Sequence, residues 1–134
     1  MNILEAARWL AFADSDLKAG RALLNDPDHF PRQVCFFGQQ SAEKALKAIL
    51  ILLNIEFPFT HDLDRLRDLI PDGWRVKAKH PDLAGLTVWA VEARYPGDMP
   101  GATEAETHES MWIADAVYQA VAEDLHQYLK TDNF

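Results

Sequence analysis

A lone cysteine, no long apolar run and a shortage of basic residues set the first limits on this chain. Cys35 has no partner for an internal disulfide, which fits a reducing compartment. Set inside an apolar stretch, it reads as a buried structural thiol rather than a nucleophile. The longest unbroken apolar run, Ala48 to Leu53, is far too short to span a bilayer, and no signal-peptide pattern opens the sequence. The expectation is a cytoplasmic protein with no membrane association. There is no glycine-rich phosphate loop, no cysteine pair, and no i, i+4 pair among the histidines at 29, 61, 80, 108 and 126. Ser41 and Ser110 lack any motif of an activated nucleophile. No metal and no cofactor are therefore expected.

Basic residues number 13 against 21 acidic ones, for a net charge of -8. Bulk attraction to nucleic-acid phosphates needs the opposite sign. The exception is the stretch from Arg65 to Lys79, where Arg65, Arg67, Arg75, Lys77 and Lys79 outnumber Asp68 and Asp72. It reads as a local basic patch or as an ordinary mixed surface loop.

What the sequence does have is apolar content and helical periodicity. At 134 residues, 49% of them apolar, it can bury one core, and residues 1–134 read as a single domain. Ile3, Ala6, Leu10, Ala13, Leu17, Gly20 and Leu24 recur at steps of three and four, which predicts a first helix from about Ile3 to Leu24. Gly20 falls on that stripe, where it weakens the helix but lets a neighbour come close. After "NDPDHFPR", two adjacent stripes predict a broad-faced second helix over about Pro31 to Leu53. Thr60 reads as the N-cap of a short helix, His61 to Ile70, and a fourth segment spans about Leu83 to Arg94. Thr103 and Glu106 form a capping-box pattern that opens a last helix reaching about Tyr128. The prediction is an all-α, antiparallel up-and-down bundle of about five helices.

The second helix carries the residues that invite a function. In "FFGQQSAEKALKAIL", Gln40, Glu43, Lys44 and Lys47 sit at i, i+3, i+4 and i+7 and form one polar strip opposite the apolar face. The plainest reading is a solvated strip in which Glu43 and Lys47 pair, worth ~0.2–0.5 kcal/mol. Gln39–Gln40 is less routine, because an amide both donates and accepts and can hold another group in register.

These residues also carry a resemblance. Gln-Gln-x-x-Glu-Lys-x-x-Lys, then "THDLDRL", then "ARYP", in this order and over about Ala7 to Tyr128, resembles the HEPN domain (higher eukaryotes and prokaryotes nucleotide-binding). The resemblance implies a helical bundle, often homodimeric, commonly produced beside a minimal nucleotidyltransferase as a toxin–antitoxin pair or a two-part nucleotide-binding system. It marks Gln40, Glu43, Lys44, His61, Asp62, Arg94 and Tyr95 as the positions to watch for ligand or partner contacts, with a nucleotide or RNA as the ligand class. Ribonuclease members carry Arg, four to six residues, then His. The formal match here is "RVKAKH", Arg75 to His80, expected in a loop between Gly73 and Pro81 rather than at the usual place of that motif. The leading expectation is thus a non-catalytic HEPN subunit. The alternatives are a metal-independent HEPN endoribonuclease using His80 or His61 with an arginine, and a stand-alone nucleotide-binding module.

Overall fold

A computed structural model describes residues 2–92 and 101–131. Among the described residues there are seven helical segments and no strand: α1 (Ile3–Leu24), α2 (Pro31–Leu52), α3 (Leu63–Leu69), α4 (Arg75–Lys79), α5 (Ala84–Thr87), α6 (Trp89–Glu92) and α7 (Glu104–Lys130).

The three long helices follow from their stripes. On α1, Ala6, Ala13, Leu17 and Gly20 are buried; on α7, Met111, Ala114, Val117, Val121 and Leu125 are. Between them lies α2, buried on most of its circumference and packed on α1, α7 and the short helices. Pro31 at its first turn is pre-set for helix and lacks only an N–H that would be unpaired there anyway. The close approach expected at Gly20 is real. A Cβ there would lie 3.0 Å from Met111 Sδ and 3.1 Å from Phe37 Cβ. Ser41 ties α2 to α1 by donating to the Ala13 carbonyl at 2.8 Å. The capping box opens α7 as expected: Thr103 Oγ1 accepts from Glu106 N–H, and Glu106 accepts from Thr103 N–H.

The middle of the chain departs from expectation in three places. Asp62, not Thr60, caps α3, because its carboxylate accepts from the N–H groups of both Asp64 and Arg65. Thr60 instead closes a turn by accepting from Asp62 N–H. The expected helix from Leu83 is broken at Val88 into α5 and α6. The "RVKAKH" stretch is not a loop but the short helix α4 with His80 as its C-cap. Its N-terminus is held from far away in sequence, by Asp124 on α7, whose carboxylate accepts from Val76 N–H and Arg75 Nε.

Part of the basic patch between Arg65 and Lys79 is engaged within the molecule, while Arg65 and Lys79 stay exposed. Arg67 is buried and donates to Asp64, Asp68 and the His80 carbonyl. Lys77 bonds the Ile70 carbonyl and pairs with Asp72. Cys35 is fully buried against α7, and burial pushes its thiol pKa up, with Ser110 and Thr107 pulling the other way. Among the described residues, no helix is long and apolar enough to cross a membrane.

Candidate functional site

The polar strip of α2 is not solvated, which corrects the plainest sequence reading. Glu43 and Lys47 are 4% and 7% exposed, and Gln39 is completely buried. The row that matters is Gln39, Glu43 and Lys47, at i, i+4 and i+8, which stack along one line of the helix. Gln40 and Lys44 form the rim beside it.

Glu43 is the centre. One carboxylate oxygen accepts from His61 Nδ1 at 2.8 Å and from Gln39 Nε2 at 3.1 Å; the other accepts from Lys47 Nζ at 3.0 Å. An ionised carboxylate can only accept, so His61 carries its proton on Nδ1 toward Glu43. The second N–H of Gln39 goes to the His61 carbonyl at 3.1 Å, while its oxygen accepts from Gln40 Nε2 at 2.7 Å. Helix α2 thus grips both the ring and the backbone of His61. Burial by itself would raise the Glu43 carboxyl, but the hydrogen bonds from His61, Lys47 and Gln39 outweigh it and hold the group below the usual carboxylate range. Leaving so buried a carboxylate unpaired would be strongly unfavourable; here both of its oxygens have donors.

Aromatic rings border the cluster, Trp9 and Phe57 half-buried against it and Phe12 and Phe59 exposed at its rim. The Lys47 ammonium lies 5.8 Å from the centre of the Trp9 ring and 5.5 Å from that of Phe57. Phe59 meets the His61 ring edge-on at 5.5 Å. Lys44 sits 6.0 Å from the Phe12 ring and pairs with Asp16 at 2.5 Å, so Asp16 is a partly buried ion-pair partner rather than a free solvated charge. Beside the cluster, an open cleft of about 310 Å³ is lined by Glu5, Arg8, Trp9, Phe12 and Lys44.

Four expected site residues therefore share one neighbourhood: Gln40, Glu43, Lys44 and His61. Arg94 and Tyr95 lie outside the described residues. Arg75 and His80 belong elsewhere and face different groups. Arg75 is tied to Asp124 and Glu123, while His80 lies near the Ala116 backbone. Burial, and secondarily Lys79, push the His80 imidazole below its ordinary value. The Gln39–Gln40 pair stands out in the sequence, but the bonds that link Gln39 to Glu43 and His61 do not, and neither do the four aromatics. The i, i+4, i+8 row is there to be read, but Trp9 and Phe57 are distant in sequence. Among the described residues, no group of three or more His, Cys, Asp or Glu side chains could hold a metal ion.

A small helical bundle whose central helix clasps a histidine through Gln and Glu, with a lysine backing the glutamate, is the class that fold and site define. The HEPN domain model matches residues 6–125, and the chain belongs to the HEPN family. It is 33% identical over 104 residues to "Putative toxin MJ1304" of Methanocaldococcus jannaschii. That match spans 71% of this chain and 66% of that protein's length. In fold it is similar to the crystal structure of TT1696 from Thermus thermophilus, with a TM-score of 0.75 and 24% identity, over 92% of this chain and 99% of that one.

Proposed function

We propose that this chain is a HEPN subunit that works by association rather than by catalysis. In this reading it forms a homodimer and binds a minimal nucleotidyltransferase, as one half of a prokaryotic toxin–antitoxin-like or nucleotide-binding pair. One observation carries the non-catalytic part. The Gln39, Glu43 and Lys47 groups at the heart of its most distinctive motif are taken up in bonds to one another and to His61, and Arg75 and His80 are engaged with different residues of α7. A toxin-named relative favours the paired system.

Homodimer formation finds support on α1. Leu4, Ala11, Ser15 and Ala22 form one exposed stripe, flanked by Ala7 and Phe12. Small residues let helices approach closely, and the two charges on the same face, Arg8 and Lys18, are each paired on their own helix, with Glu5 and Asp14. For a chain of net charge -8, a face whose charges are paired off is where two copies repel least.

A second reading, a metal-independent endoribonuclease, has one arrangement in its favour. Glu43 orients His61 through Nδ1, and the His61 side chain stays 29% exposed. That is how a proton acceptor is held for a substrate hydroxyl. Incubating the purified protein with RNA in EDTA separates the two. Intact RNA is the expected result. Cleavage lost in a folded His61→Ala variant but retained in His80→Ala would replace the first reading with the second.

A further inference from the structure

On the outer side of α7 lies a face that the clasp around Glu43 does not touch. Trp112, in the first half of that helix, is 74% exposed. One turn away, between α7 and the α5–α6 region, is a partly enclosed recess of about 140 Å³. Leu86, Trp89 and Ile113 give it an apolar floor, and Glu106 and Glu109 stand among its lining residues. Small-molecule sites usually occupy ~300–1,000 Å³, so this volume suits one long side chain and not a cofactor.

Charge says which side chain. Helix α7 carries six carboxylates against a single lysine, Lys130, and no arginine. Four of the six already face a cation or a histidine: Glu104 with His29, Asp115 with Arg21, Glu123 and Asp124 with Arg75. Among the described residues, Glu106 and Glu109 face no cation. Glu106 has one oxygen committed to the capping box, so among the described residues Glu109 is the carboxylate without a cation. An arginine or lysine entering the recess would lay its aliphatic stem on Leu86 and Trp89 and bring its charge to Glu109. Trp112, outside the recess and three residues on from Glu109 along the helix, has the character of an interface anchor, a residue type that dominates binding energy when covered.

We infer that the α7 face centred on Trp112 and the Glu109 recess docks a basic segment of a protein partner, with one arginine or lysine side chain seated in the recess. The biological occupant rests on the association reading above, but the face can be tested without it. The four tryptophans give four indole N–H signals by NMR, at positions 9, 74, 89 and 112. Titrate the intact protein with a short glycine-spaced peptide bearing two arginines, and with its citrulline analogue.

The arginine peptide should shift the Trp112 and Trp89 signals and leave Trp9 and Trp74 in place. Its affinity should fall about tenfold in Glu109→Gln and weaken further as salt is raised. Equal shifts with the citrulline peptide, uniform shifts of all four indoles, or no shift would each overturn the assignment. So would a single-stranded RNA that moves Trp112 where the peptide does not. The two readings also fail separately. Peptide binding here without capture of a nucleotidyltransferase sinks the partner's identity and leaves the face. Capture undiminished in Trp112→Ala and Glu109→Gln sinks the face and leaves the partner.

Discussion

Replacing Lys47 by methionine is the sharpest probe of the clasp. Methionine keeps most of the stem that packs between Trp9 and Phe57 and removes only the charge. The ion pair it breaks is almost fully out of water, with side-chain exposures of 8% for Lys47 and 6% for Glu43. Removing one partner of such a pair typically costs ~3–5 kcal/mol, because the other charge stays buried. Here Gln39 and His61 continue to donate to Glu43, so the low end applies: about 3 kcal/mol at pH 7, or roughly 10 °C in Tm for a chain of this length. The pH dependence has a definite sign. In the parent, the lowered Glu43 pKa contributes stability that is present above the unfolded value and lost as pH falls through the folded one. In the variant, burial dominates and raises the carboxyl, so protonation relieves the strain. The gap between parent and variant should be widest at neutral pH and narrow toward about pH 5. Urea unfolding followed by circular dichroism at both pH values reads this directly. Equal midpoints at pH 7, or a gap unchanged with pH, would refute the claim that the pair is buried and mutually required.

Three further outcomes are expected. The depressed His80 pKa means that the unfolded chain takes up a proton first, so stability should fall as pH drops below about 6.5; His80→Gln should flatten that limb of the urea-midpoint profile. Gly20→Ala gains about 1 kcal/mol of helix propensity but forces a Cβ against Phe37 Cβ, which cannot swing aside as the Met111 thioether can; calorimetry should show a net loss of about 1 kcal/mol. Thr103→Ala removes the acceptor for Glu106 N–H and should lower stability by about 1 kcal/mol, with amide exchange rising first in the opening turn of α7.

The long helices are legible because their signals are local. The stripe from Ala6 to Gly20 and the Thr103–Glu106 box each fit inside one window of sequence, and α1, α2 and α7 begin and end within a residue or two of the reading. The middle is not legible in this way, because its short helices are set by distant groups. Asp124 caps α4 from 48 residues away, and Asp64 accepts from Leu83 N–H across 19. The clasp is half legible. Gln40, Glu43, Lys44 and His61 stand out in the sequence, yet their charge suggests solvent. Burial comes instead from Trp9 and Phe57, which close over Lys47 from outside α2 and turn a surface ion pair into an interior one. The polar row is visible in the spacing of α2; only the packing around it shows that the row holds the fold.

The central claim is association with a minimal nucleotidyltransferase, and co-expression tests it most directly. The tagged chain should be produced with a minimal nucleotidyltransferase from the same genome and passed through size-exclusion chromatography with multi-angle light scattering. A single peak containing both proteins, with two copies of this chain, is the predicted result. Separate elution of the two proteins, with this chain as a monomer, would contradict the account.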